Sequence, residues 1–201
     1  MHTTIEHVSG FILAGGKSSR MGENKALMKL GDITIIQKIL SVLKTVFSEV
    51  SIITNEPKLF EDLNVPMFQD LVGKGPLSGI HSALTHSRTE KIFVCACDTP
   101  FLTNSLIYHI IENSIDSKIV VPYADGYLQH LVAIYSKSVL PEIESRLLSN
   151  NDIKEKACKM SSLFESVKGK TIYVEKEFPE YEPKLFWNIN TREEYQRITN
   201  S

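Results

Sequence analysis

Short apolar runs alternate with helix-period segments along this chain, and that alternation restricts the fold more than any other feature of the sequence. Val8 to Ala14 is an apolar run ending in Gly-Gly, as a buried strand does. Thr34 and Gln37 have capping-box spacing ahead of a helix. Its apolar positions Ile36, Ile39, Leu40, Leu43, Val46 and Phe47 follow the i, i+3, i+4, i+7 pattern. Val50 to Thr54 and Val65 to Gln69 read as strands, Ser78 to Ser87 as a short helix, and Lys91 to Cys97 as the most apolar strand. A helix over Ser105 to Asn113 precedes strands at Lys118 to Tyr123 and His130 to Tyr135. Helices follow at Leu140 to Leu148 and around Ile153 to Val167, then a strand at Thr171 to Glu175 and a last helix at Thr191 to Ile198. With such short connections the pattern specifies an α/β fold with a largely parallel sheet, expected as one domain over residues 1–201. Ligands then bind at the carboxyl ends of the strands.

Charge narrows the ligand. The formal net charge is −2, from 22 Lys and Arg against 24 Asp and Glu. Nucleic-acid-binding domains carry a basic excess, so no nucleic-acid partner is expected. Between Lys17 and Lys29, however, Lys17, Arg20, Lys25 and Lys29 stand against Glu23 alone, which suits a compact anion. The cysteines are Cys95, Cys97 and Cys158, an odd, low count that argues for a reducing, cytoplasmic setting rather than a disulfide framework. Cys95 and Cys97 lie two apart in an apolar run, so they share a strand face and are expected to pack as small hydrophobes. A zinc site needs about four ligands, and Cys95 and Cys97, with one residue between them, lack the Cys-x2–4-Cys spacing that would supply a ligand pair. The amino-terminal apolar run is short and broken by Gly10, and no segment approaches a membrane span, so neither a secretion signal nor a membrane is expected.

The stretch "LAGGKSSRMGENKA", Leu13 to Ala26, approaches two phosphate-binding patterns and satisfies neither. A P-loop needs glycine five positions before Gly16, where Phe11 stands; Gly10 is one residue too early. The dinucleotide pattern needs a glycine three beyond a Gly-x-Gly pair, and none is there. Paired glycines after a strand still let backbone N–H groups approach an anion, while Arg20 supplies a fork of donors and Lys25 a mobile point charge. A solvated turn with incidental basic residues fits the same short stretch.

A longer likeness decides between them. "LAGGKSSRMGENKALMKLGD" resembles the amino-terminal motif of nucleotidyltransferases that modify the molybdenum cofactor, and is most similar to that of the guanylyltransferases among them. The likeness continues in order through "QDLVGKGPLSGIHSAL" and "VCACDTPFL" to "FWNINTREEY", and is weakest from Ala133 to Pro183. It implies a Rossmann-like three-layer sandwich of the nucleotidyltransferase type. It also implies backbone contacts to the nucleotide from Leu13, Ala14, Gly15 and Gly16, with Arg20 and Lys25 facing the triphosphate. Asn55 and Asp70 fall where the family contacts the nucleoside, although both also suit ordinary strand-end turns. Asp98 would hold Mg²⁺, which takes oxygen ligands and shares them with substrate phosphates; alone it is a strand-ending aspartate, before a Thr99 that Pro100 biases toward extended backbone. Asn188 and Asn190 match an asparagine pair near the metal and acceptor, and Asn190 equally suits a cap for the last helix. Trp187 is expected in the core. His81, His86, His109 and His130 have no partner in sequence, and His130, near the family's acceptor region, is given no role.

The resemblance implies transfer of GMP from GTP to the terminal phosphate of molybdopterin, with release of pyrophosphate. The acceptor is already an anion, so alignment and charge neutralisation carry the reaction: Mg²⁺ on Asp98 between acceptor and α-phosphate, with Lys25, Arg20 and loop N–H groups on the leaving group. Cofactor-insertion and molybdoenzyme maturation proteins are the implied partners. The rivals are a sister cytidylyltransferase, whose loop usually reads Leu-Ala-Ala-Gly, a non-catalytic nucleotide-binding regulator, and a slow NTPase. For guanine, "GPLSGI" (Gly75 to Ile80) is expected as a loop that exposes backbone groups, with Leu13 and Ala14 lining the opposite strand end; backbone carbonyls there accept from N1 and N2 while an N–H donates to O6.

Overall fold

The computed structural model describes residues 4–15, 24–72, 75–148, 160–189 and 191–199. The strands are β1 (Val8–Leu13), β2 (Lys29–Leu30), β3 (Ile33–Thr34), β4 (Val50–Ile53), β5 (Met67–Phe68), β6 (Lys91–Ala96), β7 (Ile119–Ala124), β8 (Tyr127–Leu128), β9 (Val132–Ser136) and β10 (Lys170–Tyr173). One sheet has the order β10-β7-β9-β6-β1-β4-β5, with β8 on β7; β2 and β3 form a separate hairpin. Four strands, β5-β4-β1-β6, are mutually parallel, and β9 runs against both β6 and β7. Following those pairings, β7 and β10 again point the same way as β6, so the sheet is mostly parallel, as the sequence implies. β9 pairs with β6 from Val132 to Ser136 but meets β7 at Ile134 and Tyr135 alone.

Helices cover both faces. α1 (Ile35–Val46) and α3 (Asn104–Glu112) lie on one side; α2 (Gly75–His86), α4 (Leu140–Leu148) and α5 (Met160–Ser166) lie on the other. The strands distribute their side chains with period two. Ile12, Phe93, Cys95, Val120 and Ile134 join the α1/α3 core, and Phe11, Leu13, Val94, Val121 and Tyr135 join the α2/α4 core. Both faces are buried, which is why these strands read as continuous apolar runs in the sequence. The result is a three-layer sandwich. A Cβ on Gly10 would come within 2.7 Å of the Phe47 ring, itself stacked on Phe93, so β1 approaches the end of α1 more closely than any side chain at 10 permits.

The Thr34–Gln37 capping box forms as expected, with Gln37 N–H donating to Thr34 Oγ1 at 3.3 Å and Thr34 N–H donating to Gln37 Oε1 at 2.8 Å. Other boundaries move. α2 starts at Gly75, three residues before the expected Ser78, and β5 keeps only Met67 and Phe68 of its expected run. β10 stops at Tyr173, because Val174 and Glu175 already belong to the short helix α6 (Val174–Glu177). Trp187 is not in the core: it is 48% exposed and meets Phe101 edge-on. Of the helix expected around residues 153–167, Met160–Ser166 is seen as α5, and residues 153–159 and Cys158 lie outside the described residues. The last helix, α7, spans Arg192–Thr199. No helix among the described residues is long and apolar enough to cross a membrane.

Candidate functional site

Because β5, β4, β1 and β6 are parallel neighbours, their carboxyl ends form a row along one edge of the sheet. Asp70, Asn55, Ala14–Gly15 and Asp98 follow these four strands in that order. Neighbouring strands are ~4.8 Å apart, so the row extends for roughly 14 Å, comparable with a nucleoside triphosphate. Residues scattered from 14 to 98 in the sequence are thus brought to one edge. Gly16 and Arg20 lie outside the described residues, as does Asn190.

The β1 end is closed tightly until Gly15. Ala14 N–H donates to Ile53 O at 2.9 Å, and Leu13 O accepts from Cys97 N–H at 3.2 Å. These backbone groups of Leu13 and Ala14 hold the sheet, and Gly15 is the first exposed residue beyond it. Gly79 brings α2 against the Leu13 side chain, which a Cβ at 79 would meet at 3.3 Å. The "GPLSGI" segment is therefore the first turn and a half of a helix rather than a loop. Its carbonyls point into the helix ladder, and the groups a helix start presents outward are N–H donors. The expected acceptance from guanine N1 and N2 by these carbonyls does not fit that polarity; donation to O6 does.

At the β5 end the polar groups bind one another. Asn55 Oδ1 accepts from Asp70 N–H at 3.0 Å, and Asp70 Oδ1 accepts from Val72 N–H at 3.1 Å and from the buried Ser78 hydroxyl. Ser82, also buried, accepts from Leu71 N–H at 2.8 Å. Asp70 and Asn55 thus clamp the turn after β5 onto α2, as strand-end turn residues do.

At the β6 end the chemistry differs. Burial pushes the Asp98 carboxyl above its ordinary pKa, with nearby Lys25 pulling it back down, a bond from its own backbone also lowering it, and Glu194 adding a smaller upward push. Lys25 therefore lies close enough to Asp98 to matter electrostatically, joining the two halves that the sequence left 73 positions apart (98 − 25). Lys25 sits in a one-turn 3₁₀ helix, Lys25–Leu27, capped by Asn24 Oδ1, which accepts from Ala26 N–H at 3.1 Å. Next to Asp98, burial pushes the Cys97 thiol up to about 12, so it is an inert thiol rather than a nucleophile. Cys95 and Cys97 pack on the α1/α3 side as small hydrophobes, as expected. Thr99 Oγ1 donates to Ala96 O at 2.9 Å and closes the turn.

The carboxyl-terminal segment completes this end. Ile189 N–H donates to Asp98 O at 3.1 Å, which brings exposed Asn188 beside the Asp98 turn. The cap of α7 is Thr191 rather than Asn190: Glu194 N–H donates to Thr191 Oγ1 at 3.1 Å and Thr191 N–H donates to Glu194 Oε2 at 2.8 Å. Glu194 and Tyr195 join the site through this helix, whose Thr-x-x-Glu spacing before an apolar position is a readable helix start. His130 lies two residues before β9, with its ring against Phe164, its Nδ1 buried without a partner and its pKa lowered by burial. His81, without a partner in sequence, has Glu144 Oε1 at 3.4 Å. A cavity of about 580 Å³ lined by Pro57, Lys58, Glu61 and Met67 contains none of the site residues.

No group of three or more His, Cys, Asp or Glu side chains is placed to hold a metal among the described residues. The donor chemistry still suits Mg²⁺, which binds through one or two carboxylates plus substrate phosphates. Asp98 is one such carboxylate, and its partly buried charge is stabilised by a cation.

Comparison with known proteins gives the relatives of this arrangement. Residues 10–164 match the MobA-like NTP transferase domain family. A Clostridium perfringens protein named "Probable molybdenum cofactor guanylyltransferase" is 38% identical over 192 residues, covering 94% of this chain and 95% of that protein. The molybdenum cofactor guanylyltransferase of Desulfosudis oleivorans is 35% identical over 200 residues, 96% of this chain and 95% of its own. Among solved structures, the molybdopterin-guanine dinucleotide biosynthesis protein A of Archaeoglobus fulgidus superposes with a TM-score of 0.79 at 25% identity, covering 96% of this chain and 97% of that one.

Proposed function

Since the chain belongs to the MobA-like NTP transferase domain family, we propose that it transfers GMP from GTP to the terminal phosphate of molybdopterin, with or without molybdenum, and releases pyrophosphate. The observation that supports a transferase most directly is the partly buried Asp98 on the edge where four parallel strands end, with the charge of Lys25 near enough to lower its pKa. The choice of guanine draws its support from the near full-length similarity to proteins named guanylyltransferases.

In this reading an oxygen of the acceptor phosphate attacks the α-phosphorus. One P–O bond forms, the bond bridging the α- and β-phosphates breaks, and its electrons leave on pyrophosphate. The chain contributes alignment and charge neutralisation. Gly15, Gly16 and Arg20 hold the triphosphate through backbone N–H groups and a guanidinium. Lys25 neutralises charge on the leaving group. Asp98 is the carboxylate that would hold Mg²⁺ with the nucleotide's phosphate oxygens, and the ion when bound supplies positive charge where the transition state gathers negative charge. Asn55 and Asp70 shape the nucleoside end of the row, and Asn188 lies on the acceptor side of Asp98. The free Cys95 and Cys97 accord with activity in the cytoplasm, where the product passes to proteins that mature molybdoenzymes.

The test offers the purified protein molybdopterin, Mg²⁺ and GTP, CTP or ATP separately, and identifies the pterin dinucleotide by mass. GTP is expected to exceed CTP by ~10⁴-fold, since a site built to hydrogen-bond one base leaves buried groups unpaired with another. Preferential CMP incorporation overturns the guanine assignment and leaves the transferase intact. Tight nucleotide binding without any incorporation favours the regulator instead.

A further inference from the structure

The residues proposed to act on GTP sit on two separate turns, and a third segment touches both. Ile189 N–H holds the carbonyl of Asp98. Six residues later, the Tyr195 hydroxyl donates to the carbonyl of Lys29 at 2.6 Å, across 166 positions of sequence. The Thr191–Glu194 capping box fixes the start of α7, which carries Tyr195. Ile189 is fully buried, and Tyr195 and Ile198 pack against the same core cluster as Ala26 and Met28. On the receiving side little slack separates Lys29 from Lys25. Met28 N–H donates to Lys25 O at 3.1 Å, Leu27 N–H donates to Asn24 O at 2.9 Å, and Ile35 N–H donates to Met28 O at 2.9 Å. A shift of the Lys29 carbonyl is therefore passed to Lys25 through a closed turn.

We propose that Tyr195 is a positioning residue for nucleotidyl transfer: by holding the Lys29 carbonyl while Ile189 holds that of Asp98, it sets Lys25 at its working distance from Asp98. The proposal rests on the GMP-transfer reading. Its effect runs through the Lys29 carbonyl to Lys25.

The experiment is a double-mutant cycle on the full chain, reading kcat/KM for GTP with saturating molybdopterin. Tyr195→Phe keeps the ring and removes only the hydroxyl, so a ~5-fold loss is expected, the size of one lost hydrogen bond. In a Lys25→Ala background the same change should shrink below ~1.5-fold, because nothing remains to be positioned. Equal losses in both backgrounds overturn the proposal, since a merely structural hydroxyl acts without regard to Lys25. So does an unaffected Tyr195→Phe in an active protein, which leaves the GMP-transfer reading standing. A wild-type chain inert with GTP removes that reading, and the positioning role with it.

Discussion

Asp70 and Asp98 end parallel strands on the same edge of the sheet, each after an apolar run, yet the protein uses them in opposite ways. At the β5 end the carboxylate of Asp70 accepts from donors of its own neighbourhood, Val72 N–H and the Ser78 hydroxyl among them, and its amide is taken by Asn55. At the β6 end Asp98 is held against burial, with a flexible ammonium nearby to offset the charge. A carboxylate bonded by fixed neutral donors braces a turn. One that is partly desolvated and offset by a mobile cation is poised to accept a ligand with its own charge.

The contrast predicts different damage at the two ends. Asp98→Asn should lower turnover by at least ~10²-fold, because charge stabilisation at the transferred phosphate is lost. The same substitution should raise the melting temperature at neutral pH. A pKa raised by folding means that the ionised form is less favourable in the native state than in the unfolded chain, and asparagine removes that burden. Full turnover at saturating Mg²⁺ would place the metal elsewhere and erase the distinction between the two aspartates. Lys25→Ala should cost about 2 kcal/mol in kcat/KM for GTP, roughly 30-fold, through loss of a charge-assisted phosphate contact. Comparing GTP with GDP binding then sharpens the assignment to a particular phosphate.

The smallest functional effect is expected at the other end. Asp70→Ala leaves the buried Ser78 hydroxyl without its acceptor and should lower stability by ~1–3 kcal/mol in urea unfolding. Turnover per folded molecule should stay within ~5-fold of wild type, a limit set by the roughly 1 kcal/mol of one indirect bond. A loss of GTP use well beyond that would mean that Asp70 contacts the nucleoside directly, and the two strand ends would no longer differ in kind.

What the sequence made legible follows from how local each signal is. The strand and helix alternation, the Thr34–Gln37 box and the shared face of Cys95 and Cys97 depend on neighbours a few residues away, and all appear in the fold. The family likeness brought out Lys25 and Asp98 as a pair before any geometry linked them. Signals that depended on distant chain were misread. Trp187 is apolar in sequence, but the segment that carries it lays Leu185, Phe186 and Ile189 into the core and leaves the indole outside against Phe101. "GPLSGI" has the glycine and proline of a loop, yet Leu77, Ser78 and Ile80 are buried by docking on the sheet, which draws the helix start back to Gly75. Asn190 looked like the cap of the last helix because it stands just ahead of it, while the reciprocal Thr191–Glu194 spacing decides the boundary one residue on.

The reversed strand β9 has a consequence for how the molecule comes apart. Its register with β6 runs along five residues but with β7 covers just Ile134 and Tyr135, flanked by bonds from Ser136 N–H to Lys118 O and from Gln129 N–H to Pro122 O, so β7, with β8 and β10 attached, is joined to the rest of the sheet by its shortest ladder between long strands. Proteins open in cooperative units that part where few backbone bonds cross, and the amides inside each unit share one exchange rate. The β7–β9 seam should therefore divide two such units in native-state hydrogen exchange. Amides of β7 and β10 would lose their protons through a partial opening, while those of β1, β4 and β6 would wait for the whole molecule to unfold. The strand ends at Asn55, Ala14–Gly15 and Asp98 lie within the slow unit, and the Asp125–Gly126 turn beyond β7 within the fast one. Such a division would let the edge beside β7 breathe on its own clock while the phosphate-facing groups kept their spacing.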